Sequence, residues 1–303
     1  MRAKTKNKRI ASLKTRYVSA DFGVNVAWKI IRLVILLGLA FMILYPMLVR
    51  IVATFMTLED LIDPTVRFFP RNATMDNLRH VWHVLDFVPS LLNSLLFSGV
   101  IAFSQVAVAT ICGYGFARFK FWGRNVLFAM LMATLLIPPQ ATLISVFLQF
   151  RDFGLLDTMA PFVILTLTGL NIRGGLYVFM MRQYYRVLPK ELEEAAYIDG
   201  AGPFKTFFYI ALPSGVALMV TVFLFSFTWQ WTENLYTPLF LPDLQILTRM
   251  MMHVMAPNRD VDPAWLSMVR NTAALMVTLP IAVIYLGLQK FFVEGVERSG
   301  IVG

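Results

Sequence analysis

Residues 191–213 read ELEEAAYIDGAGPFKTFFYIALP, a semi-polar island of acids, alanines and glycines between two long apolar runs. The surrounding chain of 303 residues is 58% hydrophobic and only 15% charged, with a mean hydropathy of +0.66. A soluble domain carries roughly a quarter charged residues, and each hydrocarbon crossing needs about 20 mostly apolar residues in succession. The deficit of charge predicts an all-α integral membrane chain, and the apolar content excludes disorder. What the island does then depends on which side of the membrane it faces.

Six apolar runs emerge, near 28–54, 92–116, 125–149, 157–181, 213–235 and 271–292. Pro46, Pro138, Pro139 and Pro161 fall within them, where neighbouring helices can satisfy freed carbonyls. Lys and Arg accumulate on the cytoplasmic side of short loops. The N-terminal stretch holds Arg2, Lys4, Lys6, Lys8, Arg9, Lys14 and Arg16. With it inside, Arg118, Lys120 and Arg124 share that side, as do Arg182, Arg186, Lys190, Lys205, Lys290 and Arg298. The net charge of +9 is thereby a topological signal, and nucleic-acid binding loses its motive. The run after residue 27 is too long for a signal-peptide core and has no small-residue cleavage site, so it reads as a retained span. The expected division is a basic cytoplasmic tail, 1–27, and a membrane domain, 28–303. Cys112, the only cysteine, excludes an internal disulfide. Within the outside loop 55–91, ATMDNLRHVWHVL reads as a short amphipathic helix capped by Thr74, with Asp76 in its first turn.

The quoted island thus lies in the cytoplasm. Pro189 suits a helical first turn, and Glu191, Glu193 and Glu194 suit the positive end of the helix dipole. Leu192, Ala195 and Ala196 make a narrow face for close approach by another backbone. Gly200 and Gly202 break the helix, Pro203 starts a second one, and Pro213 opens the next span. GAGPFKT resembles a phosphate loop only superficially, because Phe204 stands where the second glycine must be and no strand precedes it.

The spacing Glu194-Ala195-Ala196, three residues, Gly200, nine residues, Ile210-x-Leu212-Pro213 matches every fixed position of the EAA motif of membrane subunits of ABC importers. Together with FARFKFWGR at 116–124, GLLDT at 154–158 and WQWTENLYTPL at 229–239, the chain resembles the MalG-like carbohydrate-uptake permeases from about residue 28 to 303. The resemblance implies a type I ABC importer (MetI-like) permease fold of six transmembrane helices with both termini cytoplasmic. It implies import of a sugar or oligosaccharide across a bacterial or archaeal cell membrane. The implied partners are a second, MalF-like permease, two ABC ATPases and an extracytoplasmic solute-binding protein. No cofactor is expected on this chain, with ATP and Mg held by the ATPases, and the chain itself is expected not to be an enzyme. In the family the EAA segment, here 189–213, is the coupling helix that docks on the ATPase, which assigns that contact to Glu194, Ala195, Ala196, Gly200, Ile210, Leu212 and Pro213. One departure is the end, SGIVG, with Val302 where such permeases often carry a lysine.

Charged and polar groups inside spans face cavities or partners. Gln140, Asn171 and Arg173 qualify as translocation-path residues, Arg173 reading equally well as a snorkelling or subunit-bridging group. Trp229, Gln230, Trp231, Glu233 and Asn234 combine aromatic faces with hydrogen-bonding groups, which suits sugar rings; an interfacial aromatic belt is the competing reading. His80 and His83 are three apart on a helix but lack the third ligand that a zinc site needs. Two other classes are an ion-coupled secondary transporter, disfavoured by the lack of acids well inside a span, and a membrane enzyme, for which no catalytic cluster is visible. A permease for a non-sugar solute is a further alternative.

Overall fold

Prolines and glycines decide which of the apolar runs stay straight. The computed structural model describes residues 2–171, 173–255 and 262–300, with side chains for 24–171, 173–254 and 262–295, and among these every regular element is helical. Contacts divide the chain into two units, Met1–Asn77 and Leu78–Gly303.

In the first unit α1 (Arg2–Thr54) runs unbroken through Pro46. The stretch expected as a tail, 1–27, is therefore helical from Arg2 onward and continuous with the first span. A short α2 (Leu58–Ile62) is capped by Thr57, whose hydroxyl accepts from the Asp60 amide at 3.3 Å. Asp60 is itself buried and accepts from the Asn72 amide at 3.0 Å. Asp63 faces Arg71 at 3.1 Å and receives the Thr65 hydroxyl and amide, and these donors hold its carboxyl below the usual carboxylate range.

The chain continues through α3 (Asp76–Val84), where the Thr74 hydroxyl accepts the Asp76 amide at 3.1 Å as the sequence predicts. Helix α4 (Phe87–Arg118) is uninterrupted. The next run is not. It divides into α5 (Arg124–Ala133), a 3₁₀ turn (Thr134–Leu136) and α6 (Pro139–Asp152), bent by 102°. Pro138 and Pro139 remove two N–H donors and force Ile137 into an extended conformation, so here the prolines end the helix rather than being absorbed by it. The run expected as one span at 157–181 divides likewise into α7 (Ala160–Leu167), with Pro161 in its first turn, and α8 (Gly174–Val187). Gly169 and Arg173, both at positive φ (73° and 64°), mark the break.

The island follows as α9 (Glu191–Ile198), α10 (Pro203–Thr206), a π turn (Phe207–Ala211) and α11 (Leu212–Ser214). A 72° bend at Gly215 leads into α12 (Val216–Trp231), so the span proper starts after Pro213. Then come α13 (Thr237–Phe240), α14 (Leu247–Met255) and α15 (Pro263–Gly300). Among the described residues three helices are long and apolar enough to cross a membrane, Val24–Thr54, Phe87–Arg118 and Pro263–Gly295; counting each bent pair as one span raises this to five. The divided run at 157–181 enters neither count, because each half is too short alone and the stretch 168–173 separates them.

In the second unit α4 is the central post, packed by α8, α12 and α7. Gln105 lies beside Gly174, and eight residues further along Gly113 lies beside Met181, so α4 and α8 run parallel in nearly constant register. A Cβ on Gly113 would sit 2.6 Å from the Met181 Cβ, so this glycine permits the close approach. Helices buried in lipid gain little from apolar transfer and associate through such small-residue contacts and tight packing. Around this junction Tyr114, Tyr177, Tyr185, Phe207, Ala211 and Leu218 form one core cluster. Towards the start of α4 a second cluster joins Val81, Leu85, Phe227, Trp231, Leu247 and Ala273.

Candidate functional site

The sequence singles out two groups of residues, one in the 191–213 island and one around α12. In the island, α9 starts at Glu191, after Pro189 rather than with it, and presents its three acids in the first turn. It ends in a Schellman arrangement: Gly200 N–H donates to the Tyr197 carbonyl at 3.1 Å and Ala201 N–H to the Ala196 carbonyl at 2.9 Å. That geometry requires the left-handed conformation at Gly200, whose φ is 79°. Pro203 then occupies the first turn of α10, as expected.

The island has two faces. Leu192, Glu194, Ala195, Ile198 and Phe204 are exposed, with Ile198 at 87% and Phe204 at 82%, while Glu193, Ala196, Thr206, Phe207 and Ala211 are buried. The face expected from Leu192, Ala195 and Ala196 is thereby corrected: Ala196 packs inward, and large apolar side chains take its place outside. Of the other motif positions Gly200 and Pro213 are exposed, and Ile210 and Leu212 are half-buried.

The inward face carries a residue pair that the sequence reading missed. Arg118, the last residue of α4, places Nε 3.0 Å from Oε1 of Glu193, with side chains only 8% and 9% exposed. The two atoms are close without being aligned as a hydrogen bond, so the contact is coulombic. Arg118 also donates through Nη2 to the Leu188 carbonyl at 2.6 Å, at the end of α8. Tyr114, one turn earlier on α4, is near enough to feel the Glu193 charge, and its ring meets Tyr185 at 5.3 Å and Phe207 at 4.9 Å. One guanidinium thus joins the ends of α4 and α8 to the start of α9. Removing one member of a buried pair leaves an uncompensated charge and costs about 3–5 kcal/mol. The available signal was the doubled acid: Glu193 and Glu194 lie about 100° apart on the helix and so face different surroundings.

Around α12 the structure brings together two of the expected path residues. The Arg173 guanidinium carbon lies 3.6 Å from the centroid of the Trp229 ring. Trp229 is otherwise half open, at 45%. Asn171 bonds within its own turn, donating to the Thr166 hydroxyl at 2.9 Å. Gln140 is exposed at the start of α6, next to Pro139, whose carbonyl accepts the Tyr236 hydroxyl at 3.3 Å. Asn234 is exposed. The remaining three are committed internally or enclosed. Trp231 is buried and donates its indole N–H to the Val277 carbonyl at 3.2 Å. Glu233 caps α13, accepting the Tyr236 and Thr237 amides at 2.6 and 2.8 Å and the Thr237 hydroxyl at 2.5 Å. Gln230 is buried with its amide nitrogen unpartnered. A further glutamine, Gln105 on α4, is fully buried beside Gly174 with neither amide atom partnered; the available signal was a polar side chain inside an apolar run. Among the described residues no group of acids, histidines or cysteines is arranged to hold a metal, His80 instead meeting the Trp265 ring at 5.1 Å. Val302 lies outside the described residues.

The family described as "Binding-protein-dependent transport system inner membrane component" matches residues 105–298. The sn-glycerol-3-phosphate transport system permease protein UgpE of Pectobacterium atrosepticum is 28% identical over 264 residues, covering 85% of this chain and 92% of the relative. The melibiose/raffinose/stachyose import permease protein MelC of Bacillus subtilis is 29% identical over 238 residues, covering 78% and 83%. A chain in the crystal structure of a bacterial ABC transporter involved in the import of the acidic polysaccharide alginate superposes with a TM-score of 0.68 at 22% identity, covering 88% of this chain and 96% of that one.

Proposed function

The chain belongs to the family of binding-protein-dependent transport system inner membrane components, and from that membership we propose that it is the permease subunit of an ABC importer for a sugar or oligosaccharide. It works beside a second, MalF-like permease, two ABC ATPases that hold ATP and Mg, and an extracytoplasmic binding protein. It crosses the bacterial or archaeal cell membrane six times, with both termini cytoplasmic, and binds no cofactor of its own. The observation that carries the reading is the two-faced island: Ile198, Leu192 and Phe204 stand open on a segment whose other face is locked to the ends of α4 and α8. An apolar knob on a rigid base is what a docking contact needs.

In operation, closure of the ATPases on ATP draws the docked islands together, and the attached helices swing as near-rigid bodies to open the path outward. The ATP-bound engine must bind one of the two arrangements better, since only differential affinity moves such an equilibrium. Of the expected path residues, Arg173 and Trp229 are the pair that this reading sets against the cargo, indole for the apolar C–H face of a sugar ring and guanidinium for its hydroxyl rim.

A second reading, a permease for an anionic polyol, draws support from the cation at Arg173 and from the glycerol phosphate in the name of one relative. Uptake of labelled oligosaccharide, challenged with excess glycerol phosphate, separates the two. The central test uses Ile198→Cys in a Cys112→Ser background. Cross-linking in intact cells is expected to capture an ATPase; a cysteine there that captures none, or that reacts with an impermeant reagent from outside, sinks the proposal.

A further inference from the structure

The island is fastened to the membrane helices by more than chain connectivity. It is covalently continuous with α8 through Leu188–Lys190 and with α12 through Gly215, and both joints are places where the helix is interrupted. Helix α4 has no covalent link to it. Yet α4 is the element on which α7, α8 and α12 pack, so an island that carries α4 with it moves these helices together. The island is joined to α4 by the buried Arg118–Glu193 pair and by the Tyr114–Phe207 ring contact.

We propose that Arg118 is a positioning residue for transport: through Glu193 it ties the coupling segment to the end of α4, and through Leu188 it holds the end of α8 to the same point. This deepens the permease reading and rests on it. Three features suit the pair to the role. Its geometry is short and enclosed, 3.0 Å with both side chains at least nine-tenths buried, so water does not screen it. It resists sliding, because separating the partners would leave the Glu193 carboxylate unpaired in an enclosed site, whereas an apolar contact in the same place can shift by fractions of an ångström at little cost. It is also set on stiff supports: Gly113 brings α4 against α8 one turn away, and the Tyr114 ring is wedged between Tyr185 and Phe207. The division of labour between the two adjacent acids follows. Glu194 is exposed and available to the engine; Glu193 is turned to the membrane helices.

The test uses the complete transporter, purified with its partner subunits and reconstituted. Glu193→Gln keeps shape and removes charge, and Arg118→Lys keeps charge but loses the second donor to Leu188. The expected result is that both variants assemble and hydrolyse ATP while uptake per ATP hydrolysed falls, by about tenfold for Glu193→Gln and less for Arg118→Lys. Spin labels at Tyr209→Cys and Trp122→Cys, both exposed, in a Cys112→Ser background give a readout free of activity. Their distance distribution is expected to be narrow with the native pair and to broaden in Glu193→Gln. An unchanged uptake-to-hydrolysis ratio overturns the proposal, as does a proportional loss of uptake and hydrolysis with an unbroadened distribution, which marks a contact that only stabilises the fold. If Glu193→Gln fails to assemble, Arg118→Lys is read by the same two measurements. Failure of the native chain to purify with any ATPase would instead strike the permease reading itself.

Discussion

Arg173 and Trp229 come from different runs of the sequence and meet face on, the guanidinium carbon 3.6 Å from the indole centroid. Arg173 heads α8 at a left-handed φ of 64°, so the backbone there is bent into a conformation that a non-glycine residue adopts at a cost. Strain of this sort persists where the surroundings hold it, and the stacked indole is one such restraint.

Replacing Arg173 by Leu is expected to leave the complex assembled and to abolish most uptake. The stacking itself contributes about 0.5–2 kcal/mol, too little to decide assembly. Co-purification of partner subunits together with a transport assay checks this. Loss of the complex would make Arg173 a packing or bridging residue instead.

Glu194→Lys and Gly200→Asp are both expected to insert normally and to uncouple transport from hydrolysis. At Gly200 the space around a new Cβ is open, so the effect comes from its left-handed φ and from the added charge on the docking face, with no steric clash. The backbone term is about 1–2 kcal/mol. A well-expressed Gly200→Asp chain with normal uptake would count heavily against docking through this segment.

Gly113→Ala forces α4 and α8 apart, because the new Cβ would meet the Met181 Cβ at 2.6 Å and the Arg182 amide nitrogen at 2.9 Å. Overpacking of this kind costs about 1–3 kcal/mol. The expected outcome is a lowered melting temperature in detergent, which Met181→Ala does not restore, because alanine keeps the Cβ and the Arg182 amide stays in place.

Gln105→Met replaces a fully buried, unpartnered amide with an apolar side chain of similar length. An unsatisfied buried polar group costs about 1–3 kcal/mol, so the variant is expected to melt at a higher temperature. If the amide serves passage of the cargo, uptake falls while stability rises. A fall in both would show that the amide is a structural necessity.

Much of this was legible in the residues. The EAA spacing and the capping of α3 by Thr74 follow from local rules that tertiary contacts did not override. The straight reading of 125–149 and 157–181 was overridden: average hydropathy does not register that Pro138-Pro139 removes two consecutive donors, or that a single glycine at 169 with Arg173 can divide a run. The site was legible by residue type more than by direction. Arg173 and Trp229 stood out as a charge and an aromatic in apolar surroundings, but their contact joins residues with no local relation. Glu233 and Trp231 looked chemically available, and only the fold reveals the amides and carbonyl that occupy them. Glu193 was hidden beside the motif's own acid, since a one-dimensional pattern does not say which of two neighbours faces the helix behind it.

The parallel pairing of α4 with α8 has a consequence for how the chain is made. Arg118 and Leu188 stand 70 residues apart, so at synthesis rates of roughly 5–20 residues per second the notch at Gly113 waits several seconds for the helix that fills it. During that interval lipid chains must occupy a groove shaped for Met181. Whatever shields newly inserted helices at the translocation machinery has this groove to cover for that interval.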